Sequence, residues 1–219
     1  MVSPREFYKK NRNNDKLRLE SYELFIRKYH QQRPDPDGFK LNERALLDGG
    51  AKNFFIPGKI YTFKYDPLYK SVLDYYDTRP IILCHNTYRA KGTKNDLVVG
   101  VNFNFLPEKF KVGTLQIFYD TFKKDIEKGV ESASRNNIYV STKLVGFLKN
   151  WLSSIQVFTR SNINYDFAYR QYIRSRITRQ SLVEYDDWNL IPFVEAKNIM
   201  GKPLAYIYNE YLKTYDKKK

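Results

Sequence analysis

Cysteine and histidine are scarce in this chain of 219 residues, which has one cysteine and two histidines. The single cysteine, Cys84, excludes an internal disulfide, and its apolar neighbours in the sequence favour a small buried side chain. His30 and His85 lie too far apart in the sequence for metal-ligand spacing. We therefore expect neither a disulfide nor a metal site.

Long apolar runs and enzyme signatures are missing as well. No run approaches the length that crosses a membrane, and the first six residues are charged rather than apolar, so we expect no membrane partner and no signal peptide. The chain has no P-loop, no glycine-rich dinucleotide turn, no nucleophile elbow and no HExxH motif. We expect a protein that is not an enzyme, without catalytic residues or cofactors.

Acidic residues are in the minority: 24 Asp and Glu face 38 Lys and Arg, which gives a formal net charge of +14. This excess favours an acidic partner, with nucleic acid as the first candidate. An alternative stays open, because an AT-rich genome also encodes chains rich in Lys, Asn, Tyr and Ile. Aromatic residues are abundant at 16%, and the apolar total of 42% is enough for a core.

Strand patterns concentrate in residues 54–107. Residues 60–65 alternate between aromatic and other side chains, the period of a half-buried strand, and turn residues flank them on both sides. Apolar runs at 80–84 and 97–105 predict two more strands, and three strands this close in sequence predict an antiparallel meander. The start of 181–186 predicts a strand that returns to this sheet. The predicted fold class is α+β, with a small antiparallel sheet or an SH3-like barrel and helices packed around it.

Helical spacing of apolar residues recurs in five segments: 16–32, 41–47, 108–127, 144–155 and 204–215. Residues 1–15 are polar and basic, so we expect an extended, flexible N-terminal arm that orders against a partner. The remaining chain is expected to form a single α+β domain over residues 16–215, followed by a basic tail at 216–219.

Four arginines in the last third form the strongest candidate binding feature: Arg170, Arg174, Arg176 and Arg179. Their spacing, with tyrosines and isoleucines between them, fits one face of a helix. Guanidinium groups along such a face can grip successive phosphates or pair with carboxylates of a neighbouring subunit. The alternative is a solvated helix face with local ion pairs. The loop residues Arg89, Lys91 and Lys94 are weaker candidates, because charged hairpin tips are common.

Tyrosines cluster around the first predicted strand and the connector that follows it: Tyr61, Tyr65, Tyr69, Tyr75 and Tyr76. Such rings suit the stacking of nucleic-acid bases. The alternative is that they belong to the core or to a protein interface, as we also expect for Phe63 and Trp188. We interpret Trp188 as the packing anchor of a capping turn.

One motif resembles an enzyme signature. Asp187 followed by Glu195-Ala196-Lys197 matches the spacing of metal-dependent nucleases, in which carboxylates hold Mg²⁺ and a lysine steadies a water. Those residues normally lie on adjacent strands. Here Pro192 lies between them and the second motif reads as loop or helix, so we do not expect nuclease activity.

A family resemblance rests on five segments: Pro57–Pro67, Tyr75–Ile82, Gly100–Pro107, Tyr169–Tyr172 and Asp187–Phe193. Together they resemble a small structural protein of T4-like and other tailed double-stranded DNA phages, of the kind labelled DNA end protector or head-completion protein. The resemblance covers residues 54–107 and 165–195. This chain departs from the pattern at Phe105, where His-Tyr usually precedes Leu-Pro.

The resemblance implies a non-enzymatic virion protein, made in the bacterial host cytoplasm and placed at the head–tail connection. It implies an oligomeric ring or plug near the DNA end, with further copies of itself, portal, neck or tail subunits and packaged double-stranded DNA as partners. Two alternatives remain: a free DNA-end-binding or DNA-processing protein, and a tail or baseplate connector without DNA contact.

Overall fold

The computed structural model describes residues 2–31, 55, 58–89, 91–92, 95–129, 168–195, 197, 199–203, 205–206 and 209, with the backbone alone for 121–129. The helices are α1 (Pro4–Asn11), α2 (Asp15–Phe25), a π-helical segment (Ile26–Gln31) and α3 (Glu108–Gly129). The strands are β1 (Ile60–Tyr65), β2 (Tyr75–Asp77), β3 (Ile81–Arg89), β4 (Asp96–Asn102), β5 (Tyr169–Ile173), β6 (Ile177–Leu182) and β7 (Ile199–Gly201). Three 3₁₀ segments (Phe103–Phe105, Arg174–Arg176 and Tyr185–Phe193) join them.

The main sheet confirms the α+β prediction. Its strand order is β5-β4-β3-β1-β6 and its pairs are antiparallel, so β1, β3 and β4 form the predicted meander. A second sheet, which the sequence did not predict, pairs β2 with β7. Both are short strands far apart in the chain, which leaves little periodicity to detect.

Strands β5 and β6 form opposite edges of the sheet although three residues separate them, so the sheet bends strongly. The bend brings Tyr65 in β1 close to Tyr172 in β5, and the centroids of their rings are 4.9 Å apart. Within the described residues no hydrogen-bonded ladder joins β5 to β6. Of the two predicted forms, the structure is therefore an open antiparallel sheet and not a closed barrel.

The sheet is buried on both faces. Its concave face holds Phe55, Tyr61, Phe63, Ile82, Cys84, Val98, Tyr172 and Ile177. The other face packs against the helices through Phe25, Ile60, Leu83, Phe103, Leu115, Phe118 and Trp188. Cys84 is buried, and burial raises the pKa of its thiol to about 12. This places it as a packing side chain rather than a reactive one.

The interpretation of residues 167–179 as a helix is wrong. Residues 169–173 form β5, in which Arg170 pairs with Gly100 and Tyr172 with Val98 of β4. The alternation of residues in this segment also fits a strand. Pairing with β4 selects the strand over the helix. The return strand likewise begins earlier than predicted, at Ile177, and ends at Leu182.

The third predicted strand is shorter than expected. It ends at Asn102, whose side-chain oxygen accepts a hydrogen bond (2.9 Å) from the backbone N–H of Asn104. This local bond turns Phe103–Phe105 into a 3₁₀ segment, a known competition between short polar side chains and strand pairing.

Residues predicted to lie in a flexible arm instead form α1. Ser3 and Glu6 make a capping box at its start, with Pro4 in the first turn. Phe7 and Tyr8 contact the ring of Phe193, with 6.0 and 5.8 Å between centroids. This packing replaces the expected extended conformation, because the half-buried rings of α1 pack against the buried ring of Phe193. The division into arm, domain and tail stays a prediction, and residues 216–219 lie outside the described residues.

Two of the predicted helices are confirmed. The first appears as α2 followed by the π-helical segment, and the second as α3, which continues through Gly113 without interruption. The predicted helices at 41–47 and 144–155, and most of the one at 204–215, lie outside the described residues.

Candidate functional site

A cleft of about 250 Å³ lies between strand β5 and the loop at residues 66–74, which joins β1 to β2. We call it the Arg170 cleft. Its lining includes the rings Tyr65, Tyr69, Tyr76, Phe105 and Tyr172, together with Arg170. Apolar side chains of the loop, among them Leu68 and Leu73, complete one wall.

Arg170 is held by aromatic rings. Its guanidinium carbon lies 5.1 Å from the ring centroid of Tyr75 and 5.6 Å from that of Phe105. These distances are within the range of cation–π contacts. Among the described residues no carboxylate lies within ion-pair distance of Arg170. The site therefore carries a positioned cation that can accept an anionic partner.

The backbone opposite Arg170 requires a glycine. Gly100 pairs with Arg170 across β4 and β5. A Cβ atom at position 100 would lie 2.3 Å from the carbonyl oxygen of Leu83 in β3. The absence of a side chain here allows β3 and β4 to approach closely beside the cleft.

The 66–74 loop exposes apolar residues to solvent. The exposed fractions are 45% for Leu68, 65% for Tyr69, 78% for Val72 and 38% for Leu73. The backbone N–H groups of Val72 and Leu73 both donate to the carbonyl of Tyr69 at 3.1 Å, so the loop has a defined turn. A group of exposed apolar residues beside a cleft indicates an interaction site.

The ends of the loop are fixed by ion pairs and by the second sheet. Asp66 pairs with Lys70 and, at 3.6 Å, with Arg176. Lys202, beside β7, pairs with Asp74 at 3.4 Å and donates its backbone N–H to the Asp74 carbonyl at 3.0 Å. Both acids of the loop thus already have cationic partners.

A buried carboxylate, Asp77, forms part of the lining of the cleft. Asp77 is 3% exposed, and its Oδ2 accepts hydrogen bonds from the side-chain amides of Asn102 (2.9 Å) and Asn104 (2.8 Å). Its Oδ1 accepts from the backbone N–H of Arg79 at 2.9 Å. Burial raises the pKa of Asp77, and these hydrogen bonds oppose that rise.

This network supports the cleft. The Asn102 amide also donates to the hydroxyl of Tyr172 at 3.0 Å, which fixes one ring of the lining. The Asn104 side chain holds the 3₁₀ segment that carries Phe105. None of these three polar residues, Asp77, Asn102 and Asn104, was predicted from the sequence as part of a site. The available signal was the alternation of asparagine with apolar residues at 101–105, since buried amides need partners.

The predicted aromatic cluster is divided by the fold. Tyr65 and Tyr76 line the cleft, and Tyr75 packs on Phe105 at 5.4 Å. Tyr61 and Phe63 lie in the concave core instead. Trp188 is buried on the helical side, where its Nε1 donates to the carbonyl of Val183 at 3.4 Å.

The four predicted arginines do not share one helix face. Arg170 lies in the cleft and Arg176 at the base of its loop, while Arg174 belongs to the 3₁₀ segment after β5. Arg179 lies in β6 with a φ of 51°, a left-handed conformation that is uncommon for a side chain of this kind. Whether each contacts nucleic acid or an acidic partner stays a prediction.

The weaker loop candidates lie at the β3–β4 hairpin. Arg89 pairs with Asp96 at 3.2 Å, and Lys91 is exposed in the turn. Lys94 lies outside the described residues. Their proposed role in binding is likewise still a prediction.

The residues of the nuclease-like motif already have hydrogen-bond or ion-pair partners. Asp187 accepts hydrogen bonds from Lys28 (2.6 Å) and from the hydroxyl of Tyr29, which ties the π-helical segment to the last 3₁₀ segment. Glu195 pairs with Lys197 at 2.9 Å. Across the described part of the chain, no cluster of three or more His, Cys, Asp or Glu is suited to hold a metal ion.

Comparison with known protein families shows to which family this chain belongs. A family model described as phage T4 terminal DNA protecting protein matches residues 52–209, which is most of the chain. The chain belongs to this family. The resemblance inferred from the sequence motifs is therefore confirmed. No curated protein and no solved structure matches the chain.

The matched region of this terminal DNA protecting family member contains both sheets and the whole Arg170 cleft. Helices α1 and α2 precede it. None of the helices in the described ranges combines the length and apolar character needed to cross a membrane.

Proposed function

We propose that this protein binds the ends of phage DNA and shields them, without turning over a substrate. Membership of the terminal DNA protecting family carries the proposal. A net charge of +14 supports it, because a polyanion is the natural partner of such a chain. The Arg170 cleft offers a contact surface with a positioned cation and aromatic rings.

We place the protein in the virion, at the head–tail connection, as a ring or plug of several copies beside the packaged DNA end. Portal, neck or tail subunits are the proposed neighbours. The exposed apolar residues Leu17, Leu19 and Leu24 on α2 support contact with other subunits, since solvent-facing leucines on one helix suit a protein interface.

Protection of DNA from an exonuclease tests the proposed function. A linear duplex with labelled ends is incubated with the purified protein in the presence of Mg²⁺. An exonuclease is then added, and loss of the label is followed over time, with a parallel sample that contains no exonuclease. We expect slower loss of the label than with a basic control protein of similar charge. Degradation at the control rate would overturn the proposal. So would Mg²⁺-dependent cutting by the protein itself that disappears in Glu195→Ala.

Purified particles distinguish the virion placement from a free DNA-end-binding protein. After treatment with nuclease and mild denaturant, a structural component stays in the particle at a fixed stoichiometry. Loss of the protein together with the DNA would favour the free form.

A further inference from the structure

We infer that the Arg170 cleft binds a single unpaired nucleotide at a DNA end, with its base against the tyrosine rings and its phosphate on the Arg170 guanidinium. This inference rests on the proposed function and adds the chemical form of the DNA that the protein selects. It also assigns the contact to the face of the molecule formed by β5 and the 66–74 loop.

The size of the cleft favours a single nucleotide base over a base pair. Its volume of about 250 Å³ lies just below the range of pockets that enclose drug-sized ligands, roughly 300–1,000 Å³. A base pair within a duplex is larger than this space allows. An unstacked base that leaves the end of the helix fits the available volume.

The lining suits a base of any sequence. Tyr69 is 65% exposed at the rim, and Tyr65 and Tyr76 lie deeper in the wall. Bases stack on aromatic rings with little sequence preference, because every base has a π face. Leu68 and Leu73 add apolar contact area. A protein that protects DNA ends needs this tolerance.

The charge of the cleft suits a phosphate. Arg170 is held in place by Tyr75 and Phe105 and lacks a carboxylate partner among the described residues. A guanidinium forms paired hydrogen bonds with phosphate oxygens. The acid of the lining, Asp77, is engaged by Asn102, Asn104 and the Arg79 N–H, so it does not compete.

A cleft that takes one unstacked base would bind a DNA end in preference to the interior of a duplex. A base must leave its stack to enter the cleft, and the energetic cost is lowest for a base that is already unpaired. The ends of linear DNA supply such bases by fraying. A closed duplex does not.

Three DNA probes of equal length test the inference by fluorescence anisotropy at one salt concentration. One is a blunt duplex, the second has a single unpaired 2-aminopurine nucleotide at each end, and the third is closed by hairpins at both ends. We expect the second probe to bind at least about 10-fold more tightly than the blunt duplex, from the stacking of one base. Its 2-aminopurine emission should fall on binding, whereas 2-aminopurine placed in the duplex interior should not respond.

Variants locate the contact. Tyr69→Ala should lose about 10-fold of the preference for the unpaired end, and Tyr69→Phe should keep it, because the ring and not the hydroxyl stacks. Arg170→Gln should weaken binding to the unpaired end. Lys10→Ala, an exposed change on α1 away from the cleft, should leave the preference unchanged. Circular dichroism checks that each variant is folded.

The outcomes separate the inference from the proposed function. If open duplexes are preferred over the closed one, but the blunt and unpaired ends bind equally and the emission does not change, the inference is wrong and the proposed function stands. If Tyr69→Ala retains the full preference, the site is wrong. If the closed duplex binds as tightly as both open ones, the proposed end binding itself fails.

Discussion

At the scale of single residues, Lys111 and Asp77 both carry ionisable groups that are buried. Lys111 of α3 is 5% exposed, and its Nζ donates to the carbonyl of Val194 at 2.8 Å. Burial lowers the pKa of Lys111 to about 8. No local pattern distinguishes this lysine from the many exposed ones, because its burial depends on the position of α3 against the last 3₁₀ segment.

Lys111 should make stability depend on pH. Between about pH 8 and 10.5 the unfolded chain still binds a proton at this lysine and the folded chain does not. The free energy of unfolding should therefore rise with pH across this window by up to about 3 kcal/mol from this residue. As pH falls through 8, that contribution is lost.

The comparison of two lysine variants isolates this effect. Lys111→Met should remove the rise, whereas Lys109→Met, an exposed change on the same helix, should keep it. Urea denaturation of the three proteins at pH 7, 9 and 10.5 measures it. Equal pH dependence in the wild type and Lys111→Met would show that Lys111 titrates normally.

Asp77 should be among the most costly residues to remove. Asp77→Ala leaves the side-chain amides of Asn102 and Asn104 without their buried acceptor, and each unsatisfied group costs about 1–3 kcal/mol. We expect the free energy of unfolding to fall by about 2–4 kcal/mol. The matched change Asp96→Ala removes an exposed ion pair and should cost below about 1 kcal/mol. Similar losses in chemical denaturation would contradict this role of Asp77.

At the scale of elements, the pattern of residues within a segment predicted those strands and helices that depend on that segment alone. The β1–β3–β4 meander and the helices α2 and α3 follow from periodicity and turn residues. The residues at 169–182 fit both the spacing of a helix and the alternation of a strand. Only pairing with β4 and β1 selects the strands. The pairing of β2 with β7 joins residues more than a hundred positions apart, which no local pattern encodes.

The same limit applies to the candidate site. Tyrosine and arginine were singled out as candidates for contact, which stays a prediction, but composition does not distinguish a ring in the core from one at a surface. Tyr61 and Tyr69 belong to one sequence cluster, yet Tyr61 is buried and Tyr69 is exposed at the cleft. That difference arises because Tyr61 lies in β1 and packs in the concave core, whereas Tyr69 lies in the 66–74 loop.

The second sheet should hold the 66–74 loop in place. Gly201 has a φ of 87°, and a Cβ at this position would lie 2.3 Å from the carbonyl oxygen of Asp74. Gly201→Ala should therefore open the β2–β7 pairing and reduce stability by about 1–3 kcal/mol. Hydrogen exchange should become faster at the β2 amides.

Gly92→Ala is the matched control for Gly201→Ala. Gly92 also has a positive φ, 76°, but among the described residues no atom lies within 4 Å of an added Cβ. This variant should show backbone strain without a clash and should leave exchange in β2 unchanged. Unchanged exchange in Gly201→Ala would show that the pairing tolerates a side chain.

At the scale of the whole molecule, the positive charge should appear in the salt dependence of DNA binding. A protein that neutralises phosphates releases counterions, so the logarithm of the affinity falls linearly with the logarithm of salt concentration. We expect a steep slope for the wild type and a slope smaller by about one unit for Arg170→Gln. Affinity that barely changes with salt would favour a connector without DNA contact.

The central claim is that this member of the terminal DNA protecting family recognises DNA ends. Its most direct test is the number of protein molecules bound at saturation to linear duplexes of increasing length, measured by analytical ultracentrifugation at physiological salt. We expect a fixed number of protein molecules per DNA end that does not change with length. A number that grows in proportion to length would contradict it.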